Sequence, residues 1–381
     1  MTLINVTEED AKLFVNKIKE QQNRQMPDQV LMKFLRENGV NKFATPYDVS
    51  WEITSACNLR CQHCCFAGSN YDSACNVSHQ TAINFAQELI EADVVRVMLT
   101  GGEPLLRDDL FDIINVFKTK NVAIELTTNA MLITEENAKK IAELFNPICD
   151  YVQVSLDGAD AEIHEKIRGK DSFNCALNGI KLLIANGINV TINSVITNLN
   201  MHQMCELYDL GYDLGVNLIT FSKIFVEKNN EHLLPDNNLL FKETIKLLHH
   251  EKANLPLNLR LFSYPELVTC SNIIKFLGNG INKIQNFNCH KNEKIHIRRD
   301  GEVFLCLYAS NKNVCSLGNI KHNSLVDIID NMQVNPLYQE RIIKNSKCNN
   351  CKIQFYCKAG CPVNALLKKG TIHLPDSKCL I

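Results

Sequence analysis

Between positions 48 and 221, short apolar runs rich in β-branched residues alternate with longer stretches whose apolar residues recur every three or four positions. The runs at 48–54, 94–100, 122–127, 151–156, 188–196 and 216–221 read as strands, and the stretches at 81–91, 108–118, 135–144, 175–185 and 201–214 as helices. Strands covered by helices on both faces have no polar side, so near-continuous apolar runs separated by helices predict an α/β fold with a parallel sheet. In such sheets ligands bind at the carboxyl ends of the strands. No repeat or low-complexity segment stands out beyond this alternation.

The flanks differ. Residues 1–45 form an N-terminal arm, with a charged helical pattern at 8–38 interrupted by Pro27, ahead of a β/α region at 46–225. Residues 226–288 are rich in Asn, Leu and Lys and read as a mostly helical bridge, leaving a cysteine-rich segment at 289–381. There, 295–306 reads as a hairpin turning at Asp300-Gly301, and 324–331 as a short helix.

A net charge of −2 gives no general attraction to polyanions, so nucleic acid is disfavoured as the main partner, and pairs such as Lys368-Lys369 read as solvated surface. No apolar run reaches the roughly 18 residues of a membrane span, and the N-terminus shows no basic region followed by an apolar one. A cytoplasmic protein without a membrane partner is expected. The 17 cysteines, clustered at short spacings, then argue for metal in a reducing compartment rather than a disulfide framework. Such thiolates are oxygen-sensitive, so an anaerobic host is expected.

The densest chemistry follows the first strand, where Cys57, Cys61 and Cys64 are spaced C-x3-C-x2-C. Three thiolates are one fewer than a [4Fe-4S] cube normally takes, which leaves one iron open to a chelating small molecule. Structural zinc and a redox dithiol use similar spacings, so spacing alone leaves the metal undecided. Further strand ends carry Gly101-Gly102-Glu103-Pro104, Thr128-Asn129 and Ser155-Leu156-Asp157-Gly158, and all should meet the cysteines on one rim. Glycines at 101 and 102 would let backbone come close to a ligand.

These ordered motifs resemble those of the radical S-adenosylmethionine (SAM) enzymes. The resemblance implies a partial (β/α)6 TIM-type barrel, open on one side, in which SAM chelates the open iron and is reductively cleaved to a 5′-deoxyadenosyl radical. It implies that Gly101, Gly102, Glu103 and Pro104 hold the methionine amino group, and that Thr128, Asn129, Ser155 and Asp157 lie near the ribose and methionine. Arg168 would pair with the methionine carboxylate, a surface ion pair on a helix being the alternative, and Asn193 with Ser194 would lie near adenine. Relatives carry an aromatic directly after the third cysteine; here that place is Cys65, and Phe66 follows.

The second cluster, Cys289, Cys306, Cys348, Cys351, Cys357, Cys361 and Cys379, resembles the SPASM domain, a small cysteine-rich unit with a β-hairpin and short helices. By that resemblance Cys348, Cys351, Cys357 and Cys379 ligate one auxiliary [4Fe-4S] cluster, and Cys289, Cys306 and Cys361 another, for three [4Fe-4S] clusters with the SAM-binding one. The second auxiliary cluster is then open or closed by Cys315 or Cys270, since no cysteine occurs at 290–305. A pair of structural zinc sites is the alternative for this region. Cys75, Cys149, Cys175 and Cys205 read as small buried apolar residues.

SPASM enzymes mostly act on peptides and proteins. The expectation is a maturase that takes hydrogen from a ribosomally made precursor peptide and forms a thioether or other crosslink, with ferredoxin or flavodoxin as electron donor. Many such enzymes carry a winged-helix leader-binding domain of roughly 80 residues, larger than this arm, so a separate leader-binding protein or direct docking on the bridge is expected. A haem-pathway or mycofactocin-type enzyme is the first alternative, because the segment around Trp51-Glu52-Ile53-Thr54 also resembles that group; a sulfatase maturase is another. A noncatalytic iron-sulfur electron carrier is the alternative of a different class.

Overall fold

The computed structural model describes residues 9–10, 12–13, 48–65, 76–224, 230–250, 258–261, 294–337, 343, 346–350 and 359–375. Strand β1 (Asp48–Thr54) is buried along its whole length. Its odd-numbered side chains Val49, Trp51 and Ile53 enter the apolar core. Trp51 packs on Phe85 of α1 (His79–Glu91) and Phe117 of α2 (Leu110–Lys118), with ring centroids 6.1 and 6.4 Å away. Because strand side chains alternate between faces, Asp48, Ser50, Glu52 and Thr54 turn away from the helices toward the barrel axis.

Strands β2 (Arg96–Gly101), β3 (Ala123–Thr128), β4 (Tyr151–Ser155), β5 (Val190–Ile196) and β6 (Leu218–Lys223) follow β1 in parallel register. Helices α3 (Glu135–Leu144), α5 (Ser172–Ala185) and α6 (Met204–Leu214) lie where the 3.6-residue pattern places them, within a few residues. Their starts obey local chemistry. Ser78 caps α1 by accepting from the Thr81 N–H, and Thr134 with Asn137 closes a capping box on α3. An additional helix, α4 (Ala161–Arg168), has Asp160 accepting from the Ile163 N–H and buries His164, Ile167 and Arg168. It is charged and only two turns long, so its apolar stripe is too thin to signal a helix.

The sheet is wider than six strands. Its order is β10-β9-β8-β1-β2-β3-β4-β5-β6-β7. β7 (Asn258–Leu261) adds in parallel to β6, within a segment the sequence pattern assigns to a mostly helical bridge; α7 (Asn237–His250) in the same segment is helical. At the other edge β8 (Lys294–Ile297) pairs in parallel with β1, from Asp48↔Lys294 to Trp51↔Ile297. β9 (Glu302–Phe304) and β10 (Gly318–Asn319) then add antiparallel. The hairpin turns at Asp300-Gly301, with Gly301 at φ +87°, as its sequence predicts, but it extends the barrel sheet and so covers the edge β1 would otherwise expose. No described helix is long and apolar enough to cross a membrane.

Candidate radical and auxiliary-cluster site

Past Thr54 the chain leaves β1 and runs directly into the cysteine loop. The β2 turn is sewn to that loop: the Gly102 N–H donates to Thr54 O at 2.8 Å and the Glu103 N–H to Ala56 O at 2.7 Å. A Cβ on Gly101, whose φ is +135°, would lie 2.2 Å from Thr54 O, and one on Gly102 would lie 2.0 Å from Ala56 O. The close approach that demands glycine here is therefore made to the cysteine loop itself.

Cys57, Cys61 and Cys64 are half-buried on this loop. The Cys64 N–H donates to Cys61 O at 3.2 Å, and the Leu59 N–H to Cys57 Sγ at 3.4 Å. Burial raises the Cys57 thiol and pushes that of Cys61 up to about 11, against the pull of Arg168. Such thiols ionise when metal binds them. Among the described residues no three Cys, His, Asp or Glu side chains converge as a single-ion site requires.

Glu103 is fully buried. Its carboxylate accepts from Thr128 Oγ1 at 2.7 Å, the Asn129 N–H at 2.8 Å and the Leu105 N–H at 3.1 Å. Burial raises its carboxyl above the ordinary value while these donors pull it down. Asn129 Nδ2 in turn donates to Asn58 Oδ1 at 2.7 Å, so the end of β3 grips the cysteine loop. Pro104 is buried at the start of the short 3₁₀ turn that follows.

On the opposite side of the loop Asp157, also fully buried, is shared by Arg168 and His63. Its Oδ2 lies 2.5 Å from Arg168 Nε and 2.6 Å from His63 Nε2, while Oδ1 accepts from the Val195 N–H at 2.7 Å. Burial alone would raise this carboxyl, but Arg168 and then His63 hold it well below the usual range. Arg168 is 7% exposed and its Nη1 lies 3.9 Å from Cys61 Sγ, which excludes the surface ion pair. His63 lies between the second and third cysteines, and its only signal in the sequence is its place in Cys61-Gln62-His63-Cys64.

Ser155 and Asn193 are half-buried neighbours in register, and Asn193 Oδ1 accepts from Ser222 Oγ at 2.5 Å. Ser194 does not join them: it is fully buried on the other face of β5, because adjacent strand residues point oppositely. The Cys65 thiol and the side chain of Asn311 in α8 (Leu307–Asn311) are neighbours, which brings the loop beside the C-terminal region.

In that region Cys306 caps α8, its Sγ accepting from the Ala309 N–H at 3.4 Å, and burial pushes its thiol up to about 11 with Cys361 contributing as a neighbour. Cys361 precedes α9 (Pro362–Lys369). Both, with Cys315, pack against the small core of Phe304, Ala309, Leu337, Val363 and Ile372. Cys348 is buried in a short helical turn. Cys289, Cys351, Cys357, Cys379, Cys270, Cys75 and Phe66 lie outside the described residues. Cys149 and Cys205 are buried as expected of small apolar residues, but Cys175 is exposed: it falls on the outward side of α5.

A parallel α/β barrel whose rim gathers three cysteines against a glycine turn defines a class of SAM-dependent iron-sulfur enzymes. Residues 51–211 match the radical SAM superfamily and residues 289–352 match SPASM, an iron-sulfur cluster-binding domain. These two matches imply SAM, a [4Fe-4S] cluster and auxiliary iron-sulfur.

Among similar proteins, the mycofactocin maturase MftC of Mycolicibacterium smegmatis is 35% identical over 176 residues, 45% of this chain and 43% of that protein. The AdoMet-dependent heme synthase of Methanosarcina barkeri is 31% identical over 171 residues, 45% of this chain and 48% of that protein. The chain thus spans less than half the length of these relatives. Streptococcus suis SuiB bound to S-adenosylmethionine superposes with a TM-score of 0.72 at 20% identity, over 92% of this chain and 80% of that one, which shows a shared fold.

Proposed function

We propose that this chain is a peptide maturase that cleaves SAM reductively and takes hydrogen from a residue of a ribosomally synthesised precursor peptide, forming a thioether or other crosslink. The observation that carries this reading is the stitching of Gly102 and Glu103 onto the loop of Cys57, Cys61 and Cys64, on one rim with a second cysteine-rich region joined to the same sheet. The similarity to mycofactocin maturases, and the fold shared with SuiB, whose structure with its precursor peptide SuiA is known, support a peptide substrate.

In this reading Cys57, Cys61 and Cys64 hold a [4Fe-4S] cluster that supplies the electron for SAM cleavage. The backbone of Gly101 and Gly102, with Pro104, lines the methionine end, and Arg168, held by Asp157, faces the methionine carboxylate. Glu103, Thr128 and Asn129 brace that turn, while Ser155 and Asn193 line the ribose and adenine side. Cys289, Cys306 and Cys361 hold one auxiliary cluster, for which Cys315 supplies a fourth thiolate from the same small core, and Cys348, Cys351, Cys357 and Cys379 hold the other. A precursor peptide, a separate leader-binding protein and a ferredoxin or flavodoxin are the partners, in the cytoplasm.

A haem-pathway reaction is the second reading, favoured by the 31% identity to a heme synthase. Anaerobic reconstitution followed by assay of 5′-deoxyadenosine with dithionite tests the radical step. We expect product with the wild-type chain and none with Cys61→Ala. Intact clusters without 5′-deoxyadenosine would instead indicate an electron carrier. Incubation with short peptides encoded beside the gene, against porphyrin precursors, separates the two enzymatic readings by mass change.

A further inference from the structure

Just below the glycine turn, on the axial face of β1, lies a buried polar group that none of these roles uses. Glu52 is 2% exposed and pairs in register with Thr100, the residue before Gly101. Its Oε1 accepts from Arg299 Nη1 at 2.5 Å, across from the β8–β9 turn. Its Oε2 lies 4.0 Å from Nε2 of His296 on β8, and that imidazole is 1% exposed.

The contacts around His296 accommodate its Nδ1–H tautomer. Ser50 Oγ lies 3.7 Å from Met98 Sδ, a thioether that can only accept. With the Ser50 hydrogen on that sulfur, Ser50 Oγ accepts from His296 Nδ1, 3.3 Å away. Nε2 is left as a bare lone pair, and it has no hydrogen-bond partner among the described residues. A buried proton acceptor thus faces one oxygen of a buried carboxylate whose other oxygen is anchored by a cation. A proton arriving on Oε2 would find Nε2 ready to receive its hydrogen bond.

We propose that Glu52 and His296 form a proton-accepting pair that serves a weakly acidic X–H group, a thiol or hydroxyl, of the substrate in the barrel mouth. The proton moves from X to Glu52 Oε2, X keeps the bonding electron pair, and the new carboxyl O–H donates to His296 Nε2. No electron is exchanged. The assignment rests on the radical-enzyme reading, in which the substrate approaches this rim.

The electrostatics agree. Burial raises the Glu52 carboxyl to about 7, against the lowering effect of Arg299 and Arg298 and with a small rise from Asp300. Cys65 on the loop also senses its charge. Burial, with Lys294 and Arg298 nearby, lowers His296 to about 3, so it stays neutral and free to accept. A proton acceptor works best with its own pKa near the working pH.

Infrared difference spectroscopy of the anaerobically reconstituted full chain, stepped through pH 5 to 9, tests this directly. We expect a carboxylic-acid carbonyl band that vanishes with a midpoint near neutrality and is missing in Glu52→Gln. In Arg299→Gln the midpoint should rise by about one unit or more, because the nearest cation is gone. A wild-type band unchanged in Glu52→Gln, or a midpoint unmoved in Arg299→Gln, would overturn the pair. 5′-Deoxyadenosine formation by the same samples keeps the two ideas apart: SAM cleavage without the titrating band sinks only the pair, and the band without cleavage sinks only the radical reading. Cleavage retained by Glu52→Gln also shows that this variant is folded.

Discussion

Asp157, at the end of β4, and Arg168, in the last turn of α4, form a buried ion pair at 2.5 Å, and its guanidinium reaches within 3.9 Å of Cys61 Sγ. The pair ties a strand end and a helix end to the middle cysteine. It places a cation permanently beside the loop, where an anionic ligand or a thiolate would be stabilised.

Asp157→Asn should therefore cost on the order of 3–5 kcal/mol, since it strands a buried guanidinium. Its pH signature has a definite sign. The folded carboxyl is held below its ordinary value, so its contribution is fully present above the unfolded Asp value of about 4 and is lost as pH falls through that value and below. Denaturant midpoints of the two proteins should converge as pH drops below 4. A constant gap would show that charge is not what Asp157 supplies.

Glu103→Gln keeps the shape of the brace but offers an NH₂ where a donor already points. With Thr128 Oγ1 and two backbone N–H groups competing for one remaining oxygen, a loss of about 1–3 kcal/mol is expected. The same variant should hold less iron after reconstitution, because the turn and the cysteine loop share this brace. Iron per chain and unfolding midpoint, measured together, check it.

Gly102→Ala drives a methyl into Ala56 O and Ser55 O, at 2.0 and 2.7 Å. Backbone cannot yield as a flexible side chain can, so the expected cost is about 3 kcal/mol or more. Gly187→Ala, whose Cβ would meet nothing within 4 Å but whose φ is +75°, serves as a control for backbone conformation alone. Equal losses in SAM cleavage by both variants would refute the special role of Gly102.

His164 packs against Phe173 and accepts the Asp157 N–H at Nδ1, 3.2 Å away. Burial, with Arg168 nearby, lowers it to about 4 from an ordinary 6.5. The unfolded chain takes up this proton first, so stability present above 6.5 is lost as pH falls toward 4, at about 1.4 kcal/mol per pH unit. His164→Asn, whose amide oxygen can replace Nδ1 but does not titrate, should lack that acid slope in urea unfolding between pH 7 and 4.5.

The strands β1 to β6 and most of the helices between them could be read from the chain because helix-covered strands leave an apolar run that few other structures need. The cysteine loop and the glycine turn were equally legible, since metal ligation and close backbone approach each demand particular residue types at short range. Distant partnerships were not. That Glu103 braces Thr128 and Asn129, that His63 shares Asp157 with Arg168, and that Ser194 turns away from Asn193 depend on which strand ends meet and which face each side chain takes.

The sequence by itself determined the β/α alternation, the three-cysteine loop and the second cysteine cluster, since each is written in local spacing. Only the tertiary structure decided that β8 would lie against β1, bringing Arg299 and His296 to Glu52 from some 250 positions away. No local pattern encodes that meeting, because strand pairing is set by which exposed edge and which buried face remain to be satisfied once the rest of the sheet has formed.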